Sequence, residues 1–187
     1  MIWLYLSRKT DLFDGRKKKL LHIAPEKLLS ERLREVPGLE YLSSDQGNLG
    51  AMVRMDITAI ECPRDCFDVI LCVHVLEHIP EDRKAMAELF RVLKPGGWAI
   101  LQVPITAEVS FEDPSATSPE DRVRVFGQFD HVRRYGMDYR GRLEGAGFAV
   151  DWVRGTDEFS PDEVRRYGLL SDEDQGIWVC RKAQAGM

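Results

Sequence analysis

Three groups of side chains in this sequence have the types and spacing to do chemistry. In His74-Val75-Leu76-Glu77-His78, two imidazoles stand four positions apart around a carboxylate. On a helix that spacing would turn both rings to one face, as zinc requires. The stretch follows an apolar run directly and lacks a convincing third ligand, so no metal is expected. Asp130-His131 sets a carboxylate beside an imidazole that titrates near neutrality, a pair able to take a proton from a hydroxyl or amine. The same pair would serve equally well as a hydrogen-bonded closure of its loop. Between Arg122 and Arg142 lie six arginines against two acids. Arg133 or Arg134 could grip a carboxylate or phosphate; the alternative is a solvated helical face. Cys62 and Cys66 form a single CxxxC with no second pair, a weak metal signal.

These groups need a frame. Apolar runs of strand length occur at Leu20–Ile23, Leu39–Leu42, Met52–Met55, Phe67–Val73, Trp98–Val103, Phe148–Val153 and Ile177–Cys180. The fourth is nearly continuous rather than alternating, as a parallel strand covered on both faces requires. Helical patterns separate the runs: Lys27–Val36, Glu81–Leu93 and Tyr139–Ala146, with Met86, Leu89, Phe90 and Leu93 on one face of the second. Pro80 suits its first turn, and Lys94-Pro95-Gly96-Gly97 predicts a stop and a turn. Ser160-Pro161-Asp162-Glu163 is a capping box, and Ser118-Pro119-Glu120-Asp121 a weaker version of it. The apolar start, Ile2 to Leu6, reads as one face of a short helix. The alternation predicts an α/β fold, a doubly wound sheet in one domain over residues 1–187. Residues 105–136 break the rhythm and are expected to form an inserted lid.

In such a sheet the ligand lies outside the carboxyl ends of the strands, where strand order reverses. The first run leads into His22-Ile23-Ala24-Pro25-Glu26. The second ends at Asp45, 21 positions after Ala24, where a carboxylate could take both hydroxyls of an adenosine ribose. The third ends at Met55-Asp56-Ile57, a second acid for an adenine amino group. The fourth ends at Val73 and His74. Composition narrows the partners. With 26 basic and 31 acidic residues among 187, net charge is −5, and nothing pulls the chain toward nucleic acid or anionic lipid. No apolar run is long enough for a spanning helix. A cytoplasmic protein with reduced thiols is expected, Cys72 and Cys180 being core residues; the oligomeric state stays open.

Phe67-Asp68-Val69-Ile70, then His74-Val75-Leu76-Glu77-His78-Ile79, then Leu93-Lys94-Pro95-Gly96-Gly97 resemble, in order and spacing, class I S-adenosylmethionine-dependent methyltransferases. Asp45 and Asp56 fall where that family places its ribose and adenine acids. The likeness covers Lys18 to Val103 well and Tyr139 to Lys182 loosely. It implies a Rossmann-like, mostly parallel seven-stranded sheet with an antiparallel last strand. Where the family has a glycine-rich first loop, this chain has Ala24, Glu26 and Leu28, and His22 stands for the usual acid. Alanine replaces glycine's positive-φ freedom only in part, and Pro25 removes a donor. Yet a carboxylate at Glu26 suits the ammonium and sulfonium of S-adenosylmethionine and would repel the pyrophosphate of a dinucleotide. The alternative is that Glu26 merely complements its helix dipole. A subgroup of methyltransferase-like chains resembles this His-x-Ala-Pro-Glu loop and the stretch Phe126 to Gly136. Some carry a cysteine-rich segment ahead of the position of Met1, which would make this a shortened form.

The resemblance implies methyl transfer from S-adenosylmethionine, with His22, Ala24, Pro25, Glu26, Asp45, Asp56, Ile57, Val73 and His74 around the cofactor. His131 and Asp130 are the candidate catalytic pair, and Arg133 and Arg134 the candidate grip on a small, anionic acceptor. The run ending Gln102-Val103-Pro104-Ile105 lacks the Asn-Pro-Pro-aromatic tetrad that methylates base amino groups, which argues against nucleic acid. A degenerate, non-catalytic binding module is the competing expectation, favoured by the altered first loop.

Overall fold

The computed structural model describes residues 1–47, 50–169 and 176–184. Seven strands make one sheet: β1 (Lys18–Ile23), β2 (Leu39–Asp45), β3 (Val53–Arg54), β4 (Phe67–Val73), β5 (Leu93–Gln102), β6 (Ala149–Arg154) and β7 (Gly176–Arg181). Their order is β3-β2-β1-β4-β5-β7-β6. β1 to β5 run parallel, while β7 is antiparallel to both of its neighbours. Strand order reverses between β1 and β4, so the crevice opens at the carboxyl ends of that pair.

Helices cover both faces. α1 (Ile2–Lys9) and α2 (Lys27–Arg34) lie on one, burying Tyr5, Leu6 and Leu33 against Leu20, Val69, Leu71 and Ile100. α3 (Asp82–Val92) lies on the other with Tyr139 and Leu143 of α5 (Tyr139–Gly145), against Leu21, Ile70, Cys72, Ala99 and Leu101. Alternate residues of β4 thus reach opposite cores, which is why its sequence is apolar throughout. The four cysteines are free thiols, Cys72 and Cys180 buried in the core. Among the described residues no helix is long and apolar enough to cross a membrane.

Both serine caps form. Ser118 accepts from the Asp121 N–H at the start of α4 (Pro119–Phe126). Ser160 and Glu163 complete a reciprocal box after the short α6 (Gly155–Glu158), opening α7 (Pro161–Tyr167). One expectation needs correcting. Lys94-Pro95-Gly96-Gly97 is no turn outside the sheet: the chain enters β5 at Leu93, opposite Phe67, and bulges before Trp98 pairs with Val69. Gly96 supplies the positive φ (78°) of this bulge. Gly97 allows close approach, since a methyl there would meet the Asp68 carbonyl at 2.8 Å and the Lys94 carbonyl at 2.9 Å. Backbone on both sides cannot swing away. Gly97→Ala is therefore expected to cost about 1–3 kcal/mol, as overpacking does. Urea unfolding should show a lower midpoint with an unchanged slope.

Candidate functional site

The carboxyl edge begins with a buried hydrogen-bond chain. His22, fully buried, places Nδ1 3.0 Å from the Tyr41 hydroxyl and Nε2 2.8 Å from Glu26 Oε2. A carboxylate only accepts, so Nε2 carries the hydrogen toward Glu26. The sequence expectation put His22 against a ligand; the fold instead buries it under β1 as the group that aims Glu26. Glu26 occupies the N-cap of α2 but makes no side-chain cap there. Its half-exposed carboxylate turns back to His22 while remaining at the positive end of the helix. Burial pushes its pKa up, but the hydrogen bond from His22 and the nearby His74 charge outweigh that and hold it below the ordinary value. Ala24 sits at φ 46°, and its N–H donates to the Ser44 carbonyl at 2.8 Å. The left-handed conformation that a glycine-rich loop would supply is present without glycine, at a strain of roughly 1–2 kcal/mol.

Asp45 closes β2, with Oδ1 accepting from the Gly47 N–H at 2.6 Å. Asp56 is exposed, and Oδ1 accepts from both the N–H and hydroxyl of Thr58 at 2.8 Å. Those two bonds hold its carboxyl below the ordinary value. The Met55 N–H donates to the Asp45 carbonyl, which ties the segment carrying Asp56 to the end of β2. Ile57 does not face it; its side chain belongs to the core. Val73 ends β4 nearly buried, and His74 follows at φ 53°, its N–H bonded to the Gln102 carbonyl. Beside His74 and Glu26 a cavity of about 440 Å³ opens, walled by Trp3 of α1, Leu29 of α2, Gln102 and Ile177. The apolar start of the chain gave no hint that α1 would wall this cavity. Gln102 is buried, and its side chain accepts from the Trp178 N–H and donates to the Gly176 carbonyl, bracing β5 against β7.

The segment 105–136 folds back over this edge. Ile105 bridges to Tyr135 and Phe111 to Arg134, and the Val132 N–H donates to the Glu77 carbonyl at 3.0 Å. His131 is thereby brought to His78, ring centroids 4.8 Å apart, with Glu77 alongside. His78 Nδ1 lies 3.3 Å from the Asp130 carbonyl and 3.4 Å from its carboxylate. Desolvation, then the charge of His78, hold His131 below the usual imidazole pKa despite Glu77 and Asp130. Glu77, passed over in the sequence, is 2% exposed, with one oxygen 3.4 Å from His74 Nδ1. Its position between two histidines was the available signal.

The arginine expectation does not survive. Arg133 is 2% exposed and donates to the carbonyls of Leu76, Ile79 and Pro80, with Glu112 at 3.2 Å and Asp82 at 3.7 Å. Arg134 is bound to Thr106. Arg142 pairs with Asp82 and Glu112, Arg140 with the Val150 carbonyl, Arg124 with Asp121 and Arg122 with the Ala116 carbonyl. A basic cluster in sequence has become scaffolding, because each guanidinium meets an acceptor from another part of the chain.

The strand order, with β7 inserted antiparallel between β5 and β6, is that of the class I methyltransferase fold. Residues 25–101 match the family described as Methyltransferase domain. The chain is 34% identical over 70 residues to a ubiquinone biosynthesis O-methyltransferase of Thiobacillus denitrificans, covering 37% of this chain and 30% of that one. It is 27% identical over 122 residues to the ajmaline N-methyltransferase of Rauvolfia serpentina, covering 64% of this chain and 38% of that one. The chain thus spans well under half the length of these relatives. Its fold is similar to that of a SAM-dependent methyltransferase from Archaeoglobus fulgidus, with TM-score 0.60, 16% identity and coverage of 97% and 93%.

Arg133→Met would take the guanidinium donors from the buried Ile79 and Pro80 carbonyls, while Asp82 and Glu112 would keep Arg142. Leaving two buried acceptors unsatisfied is expected to cost about 2–5 kcal/mol. Arg134→Met, losing only bonds to Thr106, should cost about 1 kcal/mol. Paired urea titrations check the contrast.

Proposed function

We propose that the protein transfers a methyl group from S-adenosylmethionine to a small-molecule acceptor. The observation that carries this is the Glu26 carboxylate, held at the reversal of strand order by buried His22 and making no cap hydrogen bond to the helix it precedes. An ammonium is favoured there and a pyrophosphate repelled. Asp45 would accept the ribose hydroxyls and Asp56 the adenine amino group, while Ala24 and Pro25 shape the loop and Val73 and His74 the floor. When bound, the cofactor supplies a methyl group on a sulfonium, a good leaving group. The chain's own task is then to align donor and acceptor and to exclude water. Segment 105–136 would form the lid and acceptor wall, with Asp130 and His131 facing the acceptor.

The cavity beside His74 has mainly apolar walls, with Glu26 and Arg32 as an acid and a base on its rim, and the six arginines between 122 and 142 are engaged within the fold. A neutral, partly apolar acceptor suits these surroundings better than the anion expected from sequence. The competing reading, a non-catalytic binding module, draws on the glycine-less first loop. The left-handed Ala24 weakens it, because the backbone shape survives the substitution.

Calorimetric titration with S-adenosylmethionine and S-adenosylhomocysteine separates the two readings. Saturable binding is expected, weakened at least tenfold, or about 1.4 kcal/mol, by Asp45→Ala. Unchanged affinity in that variant would remove Asp45 from the cofactor site, and no binding at millimolar cofactor would favour the binding module. His131→Ala should bind cofactor normally and turn over an identified acceptor more slowly; undiminished turnover would return His131 to a structural role.

A further inference from the structure

Glu77 is an unusual residue for the place it holds. Its side chain is 2% exposed, yet Oε2 is buried with no hydrogen-bond partner. A carboxylate taken out of water without full compensation is destabilising by several kcal/mol, so such atoms ordinarily have an occupant. Two imidazoles lie beside this carboxylate from different parts of the chain, His78 from the turn after β4 and His131 from segment 105–136. One ligand atom from each of Glu77, His78 and His131 lies within 4.8 Å of the others. The sequence spacing of His74 and His78 lacked a third ligand; the fold supplies a different triad, with His131 brought in by the Val132–Glu77 backbone bond.

We propose that Glu77, His78 and His131 bind a divalent cation of the zinc class at the lid side of the cleft. Two imidazole nitrogens and one carboxylate oxygen suit a borderline ion such as Zn²⁺ rather than Ca²⁺ or Mg²⁺, which prefer oxygen. In a tetrahedral zinc site, ligand atoms stand about 3.4 Å apart. The triad must therefore contract by up to about 1.4 Å, within reach of side-chain rotation by the two part-buried histidines. The Asp130 carbonyl accepts from His78 Nδ1, which leaves Nε2 with its lone pair and fixes the tautomer, the usual service of a ligand's outer partner. Three protein ligands leave a fourth position open, the pattern of a catalytic site rather than a structural one. On the methyltransferase reading, on which this role rests, that position would take the acceptor's oxygen or nitrogen and hold it toward the methyl donor.

The test uses the full chain, stripped with EDTA and exchanged into metal-free buffer, in a Cys62→Ser/Cys66→Ser background so that thiolates cannot contribute. Zn²⁺ is titrated by calorimetry, and Co²⁺ by its visible absorption. One site of micromolar affinity or tighter is expected, weakened at least tenfold by His78→Ala and by His131→Ala. Both rings are partly exposed, so these variants should keep the native circular dichroism; Glu77→Gln is the third arm. No saturable binding up to millimolar metal overturns the proposal, as does binding that neither histidine variant weakens. S-adenosylmethionine is titrated separately into the EDTA-treated protein. Cofactor binding without metal binding defeats the metal site alone; metal binding without cofactor binding upholds the site and defeats the methyltransferase reading.

Discussion

A guanidinium removed from water must find acceptors for its N–H groups, and Arg133 finds them in the turn after β4. It donates to the carbonyls of Leu76, Ile79 and Pro80, and with Arg142 it sets two guanidiniums against the buried Asp82 and against Glu112. Both sides of this contact are unstable alone, which makes it a strong constraint on where segment 105–136 can rest. Its neighbour Tyr135 reinforces the position, its buried hydroxyl donating to Asp82 at 2.7 Å. With these two residues docked, Val132 reaches the Glu77 carbonyl and His131 comes against His78. The upper wall of the cleft is thus a consequence of one buried cation and the carbonyls it satisfies.

The lower wall is built by a different economy of contacts. His22 spends its two nitrogens on Tyr41 and Glu26, linking β1, β2 and the start of α2 beneath the crevice. Ala24 holds a strained conformation that is over-determined by its bond to Ser44 and by the pairing of β1 with strands on both sides. Strained backbone recurs across the crevice at His74, also left-handed, whose N–H is fixed by Gln102. From Glu26 through His74, Glu77 and His78 to His131 and Asp130, carboxylates and imidazoles succeed one another from the start of α2 to segment 105–136. This row gives the site a character set by proton and cation affinity rather than by the arginines nearby, which the fold consumes.

Much of this was legible beforehand for a local reason. Strands and helices follow from periodicity and capping within a few residues, so Ser118, Ser160 and the continuous run Phe67–Val73 could be read in isolation. Strand ends are local too, so Asp45, Asp56 and His74 could be placed at or just after the ends of β2, β3 and β4. What could not be read was the bulge at Lys94–Gly97, where proline and two glycines look like a chain break and instead let β5 resume its pairing.

The sequence by itself determined the layered α/β architecture and which acids end β2 and follow β3, because each depends on residues close together in the chain. Only the tertiary structure decided which polar side chains face the crevice and which brace it. His22 and Ile57 turned inward, Arg133 and Arg134 became fastenings, and Glu77 was left with an unpartnered oxygen beside two histidines. Burial and pairing are properties of contacts between segments as distant as His78 and His131, and composition and spacing carry no record of them.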